Sequence, residues 1–264
     1  MVPARDTRIA PVEDNLLAFL GVMATVPLFE NDEHGDVTTY RSGLPHPLFN
    51  GVVGGRFASG TEAERSRDVM APFVDAGLPF LWWSTPSTWS PGTHRALEEA
   101  GAVREDSPGM HVDLRGLTPT GRPVDGLALS VAKPADLDTV ARLMHEGFEF
   151  PPGLEGSVRQ LLEGFEQMAQ LVHALATLDG EPVGCGSLWI TGETAGLYNI
   201  AVLDRARQRG VGYALTSFLL DEARARGCTE SVLHATRLGR PVYERLGYVE
   251  VCRMPQYVWV PSDS

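Results

Sequence analysis

Two apolar runs, residues 172–178 and 183–190, are separated by Asp179-Gly180. That dipeptide suits the two-residue turn in which both central φ angles are positive, so the runs are expected to pair as an antiparallel hairpin. A third run, 196–202, follows a loop at Gly192 and predicts three consecutive antiparallel strands. Around them, apolar spacing predicts a strand at 127–132, a helix from Pro134 through Leu137, Val140, Leu143 and Met144, and a helix at 156–169. Farther on it predicts a helix at 213–226 stopped by Gly227, a strand at 231–236, a short helix at 240–246, and strands at 248–253 and 256–260. The expected order is β-α-α-β-β-β-α-β-α-β-β.

Residues 114–125 are rich in Gly, Pro and Thr and lack apolar periodicity, which marks a linker. Residues 1–120 and 126–264 are therefore expected to be separate α/β domains. The first half predicts a helix at 13–24, a strand at 48–57, a helix at 61–76, a strand at 78–84, a helix at 93–100 and a strand at 110–114. Thr61 followed by Glu64 reads as a capping box.

The chain has 264 residues, 43% of them hydrophobic, enough to build real cores and too many for a disordered chain. Its net charge is −12, with no basic arm in either half, which argues against nucleic acid or an anionic membrane as a partner. Cys185, Cys228 and Cys252 are widely spaced, without CxxC or a His/Cys cluster, so neither disulfide nor metal is expected. The apolar run 16–29 is preceded by Glu13 and Asp14 and is too short to span a bilayer. A cytoplasmic protein is the expectation.

Chemistry concentrates in two segments. In the first, an apolar strand ends at Ile200-Ala201-Val202, a loop carries Arg205, Arg207, Gln208 and Arg209, and Gly210-Val211-Gly212-Tyr213-Ala214 opens a helix. Glycines let backbone close around a ligand, and the first amides of a helix point at it with the positive end of the dipole, an arrangement that suits pyrophosphate. A dinucleotide fingerprint would need glycine at Leu215, and a P-loop would need Gly-Lys-Ser/Thr. In the second segment, Tyr243 lies on a short helix just after a strand.

In this order and spacing the two segments strongly resemble the GNAT superfamily of acyl-CoA-dependent N-acetyltransferases. Arg207-Gln208-Arg209-Gly210-Val211-Gly212 resembles the family's coenzyme A loop, and Val242-Tyr243-Glu244-Arg245-Leu246-Gly247-Tyr248 its closing helix and strand. The resemblance covers about residues 126–260. It implies an α+β fold of tandem GNAT-like domains, each a mixed, mostly antiparallel sheet flanked by helices. Residues 1–120 would be a degenerate copy, because Gly54 to Gly60 lacks the pyrophosphate loop.

The resemblance further implies acetyl-CoA as cofactor, with its pantetheine arm along Ile200, Ala201 and Val202 and its pyrophosphate on the loop amides from Gln208 to Tyr213, with Arg207 and Ala214 in the same stretch. An amide near Ile200 would polarise the thioester, and Tyr243 would protonate the departing thiolate. Thr236 stands where many members carry a coenzyme-contacting Asn, and Ser231 where some carry a base. His234 is the candidate base, a hydrogen-bonded wall histidine being the alternative; Cys185 reads as a small core residue. The acceptor would be a small-molecule or peptide amine, near residues 145–155 with Glu146, Phe148, Glu149 and Phe150. Trp82, Trp83 and Trp89 would either wall the cleft or fill a buried strand. A non-catalytic acyl-CoA-binding regulatory protein is the alternative function, and monomer and homodimer are both open.

Overall fold

The computed structural model describes residues 6–23, 25–33, 35–118, 123–165 and 168–261. Pro119 to Arg122 of the expected linker, and the expected helix positions Ala24, Glu166 and Gln167, lie outside the described residues. The chain forms two compact units that do not follow the sequence halves: Met1–Asn15 with Gly109–Val251, and Leu16–Pro108 with Cys252–Ser264.

The first unit contains β6 (Leu127–Val131), α4 (Leu137–Gly147), α5 (Glu155–Phe165), β7 (Leu171–Leu178), β8 (Glu181–Thr191), β9 (Thr194–Val202), α6 (Val211–Ala225), β10 (Glu230–His234) and α7 (Arg240–Arg245). It also holds the start of α1 (Ile9–Met23) and the end of β5 (Val103–Asp113). Its sheet runs β5-β10-β9-β8-β7-β6, antiparallel except for the β9/β10 pair. Asp179 and Gly180 have φ of 53° and 86°, the turn expected between β7 and β8. Leu188, Leu197, Leu215, Leu219 and Leu233 pack between one face of this sheet and α6. A Cβ at Gly186 would lie 2.9 Å from Leu219, so Gly186 faces α6, and alternation turns Cys185 and Ser187 to the opposite face.

The second unit holds β1 (Glu30–Glu33), β2 (Thr38–Arg41), β3 (Asn50–Val53), α2 (Glu62–Asp75), β4 (Phe80–Trp83), α3 (Pro91–Glu99) and the end of β11 (Val249–Trp259). Its sheet is β1-β2-β3-β4-β11, with β3 and β4 the one parallel pair among the described residues, so it repeats the β7-β8-β9-β10-β5 order of the first unit without a counterpart of β6. Trp82 is buried in its core with Phe73, Phe80 and Tyr257, and Trp89 donates to the Tyr257 hydroxyl at 2.9 Å.

Several expected boundaries move. The strand expected at 48–57 shrinks to Asn50–Val53, preceded by a 3-10 turn at Pro47–Phe49. The capping box at Thr61 is absent: its backbone is already helical, at φ −109° and ψ 0°, and its hydroxyl donates to Ala58. An N-cap needs extended backbone to aim its oxygen at the next turn. The two strands expected at 248–253 and 256–260 are one, β11, because Pro255 sits within the strand without ending it.

Candidate functional site

The β9 and β10 strands pair in parallel from Thr194/Glu230 to Leu197/Leu233 and then part. β9 runs on to Val202, still held by β8 on its other side through Ala201/Cys185 and Val202/Gly184. The edge of Ile200, Ala201 and Val202 that faces away from β8 therefore has no strand partner among the described residues, and an extended amide-bearing chain can add to it. The β8/β9 register slips here: two steps from Cys185 to Ser187 match three from Ala201 to Tyr198. This bulge carries Asn199 at φ 54°, a conformation asparagine tolerates better than most residues. The bulge re-aims the amides around Ile200.

Beyond β9, a short 3-10 turn at Asp204–Ala206 leads to the loop. Arg207 is turned back onto the protein, donating through Nε to the Val202 carbonyl at 3.0 Å and pairing with Asp204. Arg205 pairs with Glu146 at 3.1 Å. Two of the three loop arginines thus brace the loop, while Arg209 is exposed. Gln208 and Gly210 both have positive φ, 61° and 88°, which curls the backbone into the start of α6. The first helical bond runs from the Ala214 amide to the Gly210 carbonyl. Helix geometry leaves the amides of Val211 and Gly212 pointing out of the first turn. A Cβ on Gly210 would meet Val124 at 3.1 Å, whereas one on Gly212 has only ordinary contact, 3.7 Å from Val202. An open strand edge that ends at outward helix amides offers the backbone groups that pantetheine amides and a pyrophosphate would need, so the residues present fit acetyl-CoA.

Tyr243, on α7, packs edge-on to Tyr248 at 6.0 Å, and its hydroxyl has no hydrogen-bond partner among the described residues. Burial pushes its pKa up to about 12, so it holds its proton at neutral pH. His234 ends β10, and its Nε2 is buried with no hydrogen-bond partner. Burial lowers its pKa to about 4, and the ring is a neutral imidazole at pH 7. The expected strand 231–236 stops at His234, so Thr236 does not share its face: Thr236 is exposed, and its hydroxyl accepts from the Gly239 amide at 3.0 Å. Ser231 bonds Tyr248 and the Ala195 carbonyl inside the core. Cys185 is 1% exposed, and burial pushes its thiol up to about 12, which removes it as a nucleophile.

Residues 138–248 match the Acetyltransferase (GNAT) family. That stretch, less than half of the chain, is similar to GNAT acetyltransferases. The uncharacterized protein YyaT of Bacillus subtilis (strain 168) is 34% identical over 79 residues, 30% of this chain and 53% of YyaT, so the chain spans about half of that relative's length. A GCN5-related N-acetyltransferase from Kribbella flavida superposes with a TM-score of 0.68 at 18% identity, covering 98% of both chains. A tandem GNAT protein from the clavulanic acid biosynthesis pathway covers 100% of this chain and 98% of its own, with TM-score 0.54 and 14% identity. These two likenesses are of fold, and the fold is the two-copy one. Within the matched stretch, β9, α6, β10 and α7 carry the residues described above. In the second unit, β3 and β4 stay in register from Gly51/Leu81 to the final pair Val53/Trp83, and the Gly54 amide still reaches the Trp83 carbonyl.

The segment after α4 carries the expected acceptor residues. Glu146 is taken up by Arg142 and Arg205, and Glu149 has φ 54°. Phe150 is buried, and exposed Phe148 lies 5.9 Å from it ring to ring. Among the described residues no group of three or more His, Cys, Asp and Glu could hold a metal ion, and no helix is long and apolar enough to cross a membrane. Sequence reasoning gave no role to Asn199, which carries the bulge; its only sequence signal is an asparagine interrupting an apolar strand.

Proposed function

We propose that the chain is an acetyl-CoA-dependent N-acetyltransferase that moves the acetyl group directly to a primary amine of a small molecule or peptide. The observation that carries this reading is the parting of β9 and β10 at Leu197/Leu233 beside the positive-φ loop that opens α6.

When bound, acetyl-CoA supplies an acetyl group already activated as a thioester. The free edge of Ile200 to Val202 would bind the pantetheine amides, and the amides from Gln208 to Tyr213 the pyrophosphate. A backbone amide at the Asn199 bulge, near Ile200, would hold the thioester oxygen as it gains charge. His234, neutral at pH 7, would accept a hydrogen bond from the incoming amine and aim its lone pair. With a pKa near 4 it is too weak a base to strip an ammonium, so the amine would enter uncharged. Tyr243, with its phenol held near 12, would donate its proton to the departing thiolate and regain one from the amine nitrogen, which gives up a proton as the amide forms, so that the net transfer is from nitrogen to sulfur. No acyl-enzyme is needed, which agrees with the inert environment of Cys185. Phe148 and Phe150 favour acceptors with an apolar part next to the amine.

The test is thiol release from acetyl-CoA with a panel of primary amines: 2-phenylethylamine, spermidine and a short peptide with a free N-terminus. The reading predicts saturable, amine-dependent release with one N-acetylated product per thiol. Tight acetyl-CoA binding with no release in any member of the panel would instead support the non-catalytic regulatory alternative.

A further inference from the structure

The acyl-transfer site extends to a residue at the other end of the chain. Asn15 of α1 is 1% exposed and enters the sheet face turned away from α6. Its Nδ2 donates to the Trp189 carbonyl (3.3 Å), the Thr194 carbonyl (3.4 Å) and the Thr191 hydroxyl (3.2 Å). Two of these are carbonyls, which only accept, so the amide orientation is fixed and Oδ1 is left facing Tyr198. The Tyr198 hydroxyl donates to that oxygen at 2.7 Å. Asn15 fits only because residue 196 is glycine: a Cβ there would lie 1.8 Å from Asn15 Oδ1.

Tyr198 occupies a decisive place. It is the first residue of β9 after the last parallel pair, Leu197/Leu233, and His234 is the first residue of β10 after it. Their rings stand 6.4 Å apart at 53°, in the mouth where the strands separate, and Tyr198 immediately precedes the Asn199 bulge. Across the sheet, Tyr198 is in register with Ser187, whose hydroxyl lies 2.9 Å from His173 Nδ1.

We propose that Asn15 and Tyr198 form a positioning dyad for acyl transfer: Asn15 locks the Tyr198 ring, and the ring holds His234 dry and oriented beside the reacting thioester. Tyr198 commits its proton to Asn15 and so is not a competing acid to Tyr243. The proposal rests on the acetyltransferase reading above, and it assigns the N-terminal segment of the chain a direct part in the GNAT domain's chemistry.

The test uses the full-length protein and its Tyr198→Phe and Asn15→Ala variants, with three readouts. The first is the affinity for acetyl-CoA by calorimetry. The second is the titration of His234 followed by NMR of 13C-labelled histidine, its signal assigned by its loss in His234→Gln. The third is thiol release from acetyl-CoA with 2-phenylethylamine or, if that amine is not turned over, with water as acceptor. Both variants are expected to raise the His234 pKa by at least about one unit as water reaches the ring, and to lower kcat at least about tenfold. Acetyl-CoA affinity should stay within about twofold of wild type, and the double variant should be no slower than the worse single one. Tyr198→Phe keeps the ring and the fold if Asn15→Ala does not fold. Folded variants that bind and turn over like the wild type, or an unmoved His234 titration, overturn the dyad alone. A wild type that does not bind acetyl-CoA overturns the acetyltransferase reading and the dyad with it.

Discussion

Gly212→Glu is expected to weaken acetyl-CoA binding by at least about 100-fold, or about 2.7 kcal/mol, while leaving the melting temperature near that of the wild type. Position 212 separates ligand from fold better than its neighbour. Gly210 sits at φ 88°, where any side chain strains the backbone and meets Val124. Gly212 has helical backbone, and a Cβ there makes only ordinary van der Waals contact with Val202. What the glutamate changes is charge and space at the start of α6, where the outward amides of Val211 and Gly212 are proposed to receive the pyrophosphate. A carboxylate near those amides competes for them and repels a dianionic ligand. Calorimetry of acetyl-CoA against both proteins, with melting curves alongside, checks the prediction. Unchanged affinity in a folded variant would move the pyrophosphate away from α6.

Tyr243→Phe is expected to lower kcat by about 100- to 1000-fold while changing the acetyl-CoA dissociation constant less than about threefold. General acid catalysis commonly contributes about 10²- to 10⁴-fold, and the lower part of that range applies because water can still protonate a thiolate slowly. The structure makes this a clean substitution. The hydroxyl has no hydrogen-bond partner among the described residues, and phenylalanine keeps the edge-on packing against Tyr248. The pKa near 12 works in the same direction: Tyr243 stays protonated through the whole neutral range, so loss of its proton should not limit kcat below about pH 10. Steady-state rates of both proteins from pH 6 to 10 check this. Undiminished turnover would remove Tyr243 from the chemistry.

The parts of this arrangement written in local sequence were legible. Asp179-Gly180 fixes its hairpin because a two-residue turn needs little besides its own residues. Gly210 and Gly212 advertise a strand-to-helix turn with room for a ligand. What depended on distant pairing was not legible. The exchange in which Gly109–Asp113 pairs with β10, and Gln256–Trp259 with β4, leaves no local mark, because a strand's periodicity does not name its partner. The strand Glu30–Glu33 is acidic and shows no apolar alternation, so nothing in its composition marks it as a strand. Thr61 and Glu64 had the spacing of a capping box, but the backbone at Thr61 is helical and cannot use it. Within the proposed site, Tyr243 and the loop could be named from the resemblance of their segments to the GNAT family. Asn15 could not, since it meets Tyr198 across 183 positions and its fit depends on the missing side chain at Gly196.

The central claim is that one coenzyme binds in the opening between β9 and β10 and at the start of α6. The most direct measurement is a titration of acetyl-CoA into the isotopically labelled full-length protein, followed by backbone amide NMR. The account predicts saturation at one molecule per chain, with the largest shifts at Asn199 to Val202 and Gln208 to Tyr213 and none at Gly54 to Gly60. Saturation without movement of the Gln208 to Tyr213 amides, or shifts centred on Gly54 to Gly60, would contradict it.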